Sequence, residues 1–441
     1  MTHGRAFRFL HASDLLLDVP LAGPVGLSPA LRKRLAETPY RSATAVFSAA
    51  ISEQVDFVLL AGGLLNLDQA APSEVHFLVQ QFQRLAEHNI PVYWAGSTVD
   101  GPASWTPQHR LPANVVHLTT GAAREVASAY ERSLTTSSAP ANRWAYQTNT
   151  HIIERGGVAV ARVTGLSRTP QQRLGEIHWS LPRHSPALFT IGMLHLRRDE
   201  EIPMLLDVPD VDYWALGGRF TPEESARGAG RTPARFPGSP VGRSLEHWGP
   251  RGCSVVSVDD RGVHARSVAT AAVVWNLEKV EVNLGDTLEA IELRVRNRCR
   301  QLLASDANGV DRIVTWRLEG PHAVLHRARV QNWDAQLTER LQQSYGQQAP
   351  AIWSRAVEFS PSISASPESY PADSITAAYL RTVAQLRPTD RTQGELQTYL
   401  NESPQPLPAE LAVVPGPREA ERLLGDAATL GAEFLQDKEV C

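Results

Sequence analysis

Phe7-Arg8-Phe9-Leu10-His11-Ala12-Ser13-Asp14, running on into Leu15-Leu16, is the stretch that decides how this chain folds. Its apolar residues are nearly continuous, as suits a strand covered on both faces. It ends in a single carboxylate. In a metal-dependent hydrolase a strand end of this kind delivers the first ligand to the metal. Two positions later, where a second donor would serve, stands Leu16.

Similar runs recur at residues 56–61, 91–95, 115–118, 158–163, 188–194 and 213–216. Between them, residues 31–53 and 73–88 carry helical spacing. In the second, Val75, Leu78, Val79, Phe82 and Leu85 form one stripe, Ser73 offers a cap and Pro91 follows the end. This alternation predicts a layered α/β domain, with any ligand at the carboxyl ends of the strands. From 233 to about 275 the pattern turns β-like. Two period-two runs, 253–259 and 263–271, flank Asp260-Arg261-Gly262 and predict a hairpin.

A second domain is expected from residue 275. Asp286 with Glu289 reads as a capping box for a helix over 287–303. A strand over 312–318, a helix over 328–345 and a strand over 352–359 follow. Residues 360–371 are rich in Ser and Pro and read as a linker. Helical stretches at 373–386 and 418–435 are separated by residues 401–417, which hold five prolines. Such short amphipathic helices either pack on their own domain or enter a partner's groove. The expected domains are therefore 1–274, 275–360 and 361–441.

Composition narrows the function classes. A formal net charge of -4 gives no global drive toward nucleic acid or acidic membranes. Cys253, Cys299 and Cys441 lie far apart without a CxxC spacing, which points to a reducing compartment. No apolar run has the length of a membrane span or of a signal-peptide core. A soluble, cytoplasmic protein without membrane contact is expected.

The strand ends carry the candidate chemistry. They give Asp14, then Gly62-Gly63, then Gly96-Ser97-Thr98-Val99-Asp100, then His195, then Gly217-Gly218-Arg219-Phe220. A long turn element, Phe236-Pro237-Gly238-Ser239-Pro240-Val241-Gly242-Arg243-Ser244 with Gly249-Pro250-Arg251-Gly252-Cys253, closes the region. In this order, residues 1–270 resemble the calcineurin-like metallophosphoesterases, in particular the nuclease subunit of the SbcCD type and its YhaO-like bacterial relatives. The resemblance implies a four-layer α/β/β/α metallophosphoesterase sandwich followed by a small α+β cap domain and C-terminal helices.

It also implies a centre in which two divalent metals of the Mn/Mg type, roughly 4 Å apart, activate water and clamp a phosphodiester. Carried over position by position, Asp14 is kept and Leu16 replaces the following His. Gly63 replaces the bridging Asp. Ser97 and Thr98 replace the Asn and the catalytic His. His195 matches the lone His, and Gly218 and Phe220 replace the closing His pair. A hard cation needs several oxygen donors and a transition metal three or more N/O ligands. Asp14 and His195 are too few for either, so the expectation is a metal-free, catalytically inactive homologue without a cofactor.

Plainer readings stand beside these. Asp14 can be a turn cap and His195 a hydrogen-bonded core histidine. Asp100 either replaces a missing carboxylate or is an exposed turn residue before Gly101-Pro102. His11, Asp18 and Asp68 have ordinary packing or turn explanations. Residues 218–251 hold Arg219, Arg227, Arg231, Arg235, Arg243 and Arg251 against Glu223, Glu224 and Glu246. Of these, Arg219, Arg231, Arg235 and Arg243 are candidates for bidentate phosphate contact, or members of a solvated loop. By resemblance, the partners are an SMC-like coiled-coil ATPase bound through the C-terminal helices, DNA, and a second copy of the chain. The alternatives are an active hydrolase rebuilt from Asp14, Asp100 and His195, and a protein-interaction module with no nucleic-acid role.

Overall fold

The first strand, β1 (Phe7–Ala12), obeys a period of two. Phe7 and Phe9 point into one apolar layer, and Leu10 and Ala12 into another. The second strand, β2 (Phe57–Leu60), repeats the pattern, with Phe57 and Leu59 on one side and Val58 and Leu60 on the other. In this computed structural model the described residues are 6–21, 27–101, 105, 110–119, 121–122, 146–168, 173–179, 188–196, 202–206, 208, 210–225, 233–283, 285–304, 309–320, 322–361 and 366–385, with 424–425, 427–429, 431–432 and 434–435 near the C-terminus. They form two units. One comprises Met1–Asn276, Asp306–Val314 and Tyr345–Trp353; the other comprises Leu277–Ser305, Thr315–Ser344 and Ser354–Cys441.

Two six-stranded sheets make the first unit. In one, β3 (Val92–Trp94), β4 (Val115–His117), β14 (Gly252–Asp259) and β15 (Gly262–Ala269) join the first two strands in the order β15-β14-β1-β2-β3-β4. Its central strands are parallel, and β14 pairs antiparallel with β1 and with β15 across the expected hairpin. The other sheet contains β7 (Asn149–Arg155), β8 (Val158–Gly165), β10 (Phe189–His195), β11 (Tyr213–Gly217), β12 (Glu223–Ser225) and β13 (Ala234–Phe236), in the order β12-β13-β11-β10-β8-β7. A small third sheet, β5 (Gly121–Ala122), β6 (Tyr146–Gln147) and β9 (Ile177–His178), runs β5-β6-β9.

The layers follow from which faces are apolar. Phe9, Phe57, Leu59 and Tyr93 meet Val163, Ile191, Met193 and Tyr213 between the two large sheets. Phe9 stacks on Phe57 at 5.1 Å and meets Tyr213 edge-on at 5.4 Å, both favoured aromatic geometries. On the outer side of the first sheet, Val46 and Phe47 of α2 (Thr38–Ser52) and Leu78, Phe82 and Leu85 of α3 (Pro72–Glu87) cover Leu10, Val58 and Leu60. On the outer side of the second, Ile202 and Leu205 of a short helix, Ile202–Leu206, cover Leu194, Trp214 and Leu216. The result is the four-layer α/β/β/α arrangement, and parallel β1, β2, β3, β10 and β11 all present their carboxyl ends to the same two sets of loops.

Three sequence expectations need correction. The helix over 31–53 is two helices, α1 (Pro29–Ala36) capped by Ser28, and α2, with Pro39 in its first turn. A proline has no N–H to continue the ladder and clashes with the preceding turn. The second helix of that stripe starts at Pro72, and the Glu74 carboxylate, at 2.7 Å from the Ala71 amide, satisfies its first turn in place of Ser73. The helix over 328–345 is likewise two, His322–Val330 and Trp333–Tyr345, divided where Asn332 turns to a φ of 50°; Asn tolerates the left-handed region better than most residues.

Strands β16 (Val273–Glu281), β17 (Asp311–Gly320) and β18 (Ile352–Pro361) form a sheet in that order, and residues 277–281, 315–320 and 354–361 of it belong to the second unit. The helix Leu288–Ala304 buries Ile291, Val295, Cys299 and Leu302. Thr287, not Asp286, caps it, accepting from the Ala290 amide at 3.2 Å. Asp286 instead takes both terminal nitrogens of Arg294, at 2.7 and 2.6 Å. Burial pushes the Cys299 thiol up to about 12, so it is inert rather than nucleophilic. Helix Ile375–Gln385 packs Leu380 with Ala428 and Ala432, and Tyr379 donates to the Ala427 carbonyl at 2.8 Å. The two tail stretches thus pack on each other within this unit, while Ile375 and Phe434 stay exposed. The proline-rich residues 401–417 lie outside the described residues. Among the described residues no helix is long and apolar enough to cross a membrane.

Gly192 on β10 offers a direct check of this packing, because a Cβ there would run into the ring of Trp214, 2.8 Å from Cη2 and closer to two other ring carbons. Gly192→Ala is expected to lower stability by about 1–3 kcal/mol through overpacking, read as a shift of the urea midpoint. An unchanged midpoint would contradict the placement of Trp214 against β10.

Candidate functional site at the strand ends

Asp14 follows β1 with a backbone φ of 55°, and Leu16 repeats the left-handed turn at 47°. Leucine rarely adopts that region, so the loop has to be held from outside. Three backbone bonds hold it along the second strand end: Asp14 N to Gly62 O, Leu16 N to Gly63 O and Leu17 N to Leu64 O, each 2.9 Å. Ser239, fully buried in the closing turn, donates its hydroxyl to the Asp14 carbonyl at 2.7 Å. Arg243 reaches the same loop, donating to the carbonyls of Leu16 at 2.9 Å and Val19 at 2.6 Å.

The Asp14 side chain is buried and fully engaged. Its Oδ1 lies 3.1 Å from His195 Nε2 at the end of β10, and its Oδ2 accepts the Gly218 amide at 2.9 Å just beyond β11. One carboxylate therefore ties together three strand ends. His195 is charged more readily than an ordinary histidine of 6.5. Burial, the largest influence, disfavours its charge and Arg168 adds repulsion, but the hydrogen bond and charge of Asp14, with the charge of Asp100, outweigh both.

Glycines make this approach possible at two positions. Gly63 has a φ of 71°, and a Cβ on it would stand 2.6 Å from Asp14 Oδ1. Gly218 has a φ of 100°, and a Cβ there would strike the Leu196 carbonyl and come within 3.2 Å of His195 Cε1. Gly63 has no room for a side chain beside the Asp14 carboxylate, and Gly218 none beside the Leu196 carbonyl.

Asp100 is a correction. The sequence left it as either a substitute ligand or an exposed turn residue; it is fully buried. Its Oδ2 accepts the Leu64 amide at 2.9 Å, and its Oδ1 accepts the Ser97 amide at 2.5 Å together with the Ser97 hydroxyl. It thereby joins the loop after β3 to the loop after β2. Arg168, buried after β8, donates its amide to Gly96 O at 3.2 Å in the same loop and acts electrostatically on His195. Sequence reading passed over Arg168 and the structural role of Ser239 entirely. The Pro-Gly-Ser-Pro turn was visible, but nothing local says that its hydroxyl points at residue 14.

The other named positions are placed as follows. Ser97 is buried against Asp100, and Thr98 is exposed. Phe220 is partly exposed and stacks on His247 at 4.8 Å, while its carbonyl accepts from the Ser239 amide at 3.0 Å and from Arg251. Arg219 pairs with Glu223 and lies over the Phe236 ring at 4.6 Å. Arg235 is held by Glu224, Ser254 and Ser267 at 2.7–3.0 Å. Arg231 and Arg227 lie outside the described residues. His11 is a core histidine, fully buried, 3.2 Å from the Tyr213 hydroxyl and pushed down to about 3 by burial, then by Arg235. Asp18 accepts the Asn66 amide at 3.0 Å, and Asn66 in turn accepts the Asp68 amide at 3.2 Å, an ordinary turn.

No family model matches the chain. Over 361 residues it is 26% identical to a Bacillus subtilis (strain 168) protein described as "Uncharacterized metallophosphoesterase YhaO", covering 78% of this chain and 79% of that one. This similarity agrees with the metallophosphoesterase resemblance carried by the strand ends. It is also similar to two solved structures. One is a Thermus thermophilus protein, TT1561, at 12% identity and a TM-score of 0.31 over 59% of this chain and 99% of that one. The other is a dimetal phosphatase from Danio rerio, at 8% identity and 0.33 over 60% and 96%.

The metallophosphoesterase name raises the question of metals, and the donors present do not fit a two-metal centre. Among the described residues no three His, Cys, Asp or Glu side chains converge as a metal site would require. Asp14 already uses both oxygens, Asp100 is turned onto backbone amides, and Gly63 has no space for a bridging carboxylate.

The Asp14–His195 pair makes a pH prediction. Because folded His195 keeps its proton above 6.5, the folded state binds more protons than the unfolded one in that window. The pair's contribution is complete below about 6.5 and is lost as pH rises through the folded value. Urea midpoints measured upward from pH 6.5 should fall, and His195→Gln should flatten that slope. A slope unchanged in His195→Gln would contradict the pairing.

Proposed function

We propose that this metallophosphoesterase-fold chain does not hydrolyse phosphodiesters and serves as a scaffold or DNA-engaging subunit beside a coiled-coil ATPase of the SMC type. One observation carries the reading: the position where a bridging carboxylate would sit is Gly63, whose Cβ would stand 2.6 Å from Asp14 Oδ1. That carboxylate holds both cations of a two-metal clamp and offsets their repulsion. Without it, two cations have no common ligand, and the remaining donors are already spent on one another.

The rival reading, a site rebuilt from Asp14, Asp100 and His195, is disfavoured by the direction of the carboxylates. Asp100 faces the Leu64 and Ser97 amides, not His195. A general base also needs a free lone pair within reach of the proton it takes. Arg219, Arg235 and Arg243 have intramolecular partners, which favours the scaffold half of the reading over arginine-led DNA contact. The tail supports the partner half: its helices bury small residues against each other and leave Ile375 and Phe434 outward, as an anchor for a partner's groove would. The family resemblance favours an ATPase contact there.

Metal analysis of the purified full chain and a manganese-supplemented phosphodiesterase assay test this. Expected are substoichiometric metal and turnover no greater than that of Asp14→Ala. Stoichiometric, tightly held metal, or turnover abolished by Asp14→Ala, would overturn it. Gly63→Asp alone is expected to destabilise the fold without creating manganese binding, since the new side chain must displace Asp14. Calorimetry with manganese reads the outcome, and recovered binding in that single variant would count against the reading.

A further inference from the structure

We infer that the strand-end face of this fold is closed by two carboxylate cross-links, Asp14 and Asp100, which do the mechanical work that bridging cations perform in a two-metal centre. The inference rests on the proposed metal-free reading and goes beyond it by assigning a structural role to Asp100.

A bridging metal does two things for a protein of this kind. It carries charge to the reaction, and it pins loops from different strands to one point, so that binding energy becomes folding energy. The second job remains even when the first is gone, because several loops still converge on one face. Here two acids divide it. Asp14 joins the ends of β1, β10 and β11, through its own backbone, His195 Nε2 at 3.1 Å and the Gly218 amide at 2.9 Å. Asp100 joins the ends of β2 and β3, through the Leu64 amide at 2.9 Å and the Ser97 amide at 2.5 Å. Backbone bonds from Asp14, Leu16 and Leu17 to residues 62–64 then connect the two sets. At their junction a Cβ on Gly62 would stand 2.8 Å from Ser97 N and 2.9 Å from His195 Cδ2, so Gly62 lies between the two cross-links.

The chemistry of the acceptors makes the role specific to a carboxylate. Asp100 meets two backbone N–H donors and a hydroxyl with two oxygens, and both it and its partners are buried. Asparagine in its place has one oxygen and one NH2, so the NH2 must face either the Leu64 or the Ser97 amide, donor against donor. A buried donor left without an acceptor loses its full hydration. Hydrogen bonds to an ionised acceptor are also the stronger kind. Asp14→Asn meets the same problem at the Gly218 amide whenever its NH2 faces that donor.

Amide hydrogen exchange on the full chain in EDTA tests this residue by residue. The Leu64, Ser97 and Gly218 amides are expected to be protected in the wild type, to the same extent with and without added manganese. Asp100→Asn should accelerate exchange at Leu64 and Ser97 by about tenfold or more and leave Gly218 within about threefold. Asp14→Asn should do the reverse. If either variant fails to fold, the wild-type measurement still decides, since unprotected amides in EDTA overturn the inference. Protection that arises only with manganese overturns it together with the metal-free reading. Wild-type protection in EDTA alongside manganese-dependent phosphodiesterase turnover would overturn the proposed function and leave the cross-links standing.

Discussion

The hydrogen bonds of the Asp14 carboxylate, to His195 on one oxygen and to the Gly218 amide on the other, are the constraint on which the rest of the first unit depends. They require His195 at the end of β10 and Gly218 beyond β11 to approach β1 across the gap between the two large sheets. That approach requires glycine at 63, where a Cβ would meet Asp14 Oδ1, and at 218, where it would strike the Leu196 carbonyl. It also fixes Asp14 and Leu16 in left-handed backbone conformations that the local sequence does not favour.

Those strained turns are supported by the element between residues 236 and 253. Ser239 bonds the Asp14 carbonyl, Arg243 the carbonyls of Leu16 and Val19, and Arg251 the carbonyls of Phe220 and His247. Arginine suits this work, since its planar fork can serve several carbonyls at once while its stem packs on apolar surface. Among the described residues, the guanidinium groups that read in sequence as a basic loop, those of Arg219, Arg235, Arg243 and Arg251, bond within the chain. Leu16 and Phe220 belong to the same arrangement: the backbone of one is bonded to Gly63 and Arg243, and the ring of the other stacks on His247.

Much of this was legible from residues alone. The period-two runs of β1, β2 and β11 gave the layers, since a strand with Phe9 on one face and Leu10 on the other has to separate two cores. The hairpin around Asp260-Arg261-Gly262 and the strand-end positions of Asp14, Gly63, Ser97, His195 and Gly218 followed from the same reading, as did the similarity to a metallophosphoesterase. What was hidden is long-range. Asp100 reads as a turn residue because its partner Leu64 lies 36 positions away, and Arg168 reads as a loop residue because Gly96 and His195 are brought to it only by the fold. The helix breaks before Pro39 and at Asn332 were local signals overridden by an apolar stripe that continues across both.

At this meeting point of loops the polar groups turn to one another. The most direct measurement is a crystal structure grown in manganese, with anomalous data collected at a wavelength where manganese scatters. Expected is an Asp14 Oδ1 to His195 Nε2 distance near 3.1 Å, with Asp100 on the Leu64 and Ser97 amides and no anomalous peak at the strand ends. One or two anomalous peaks ligated by Asp14, His195 or Asp100, with the Asp14–His195 bond opened, would contradict it.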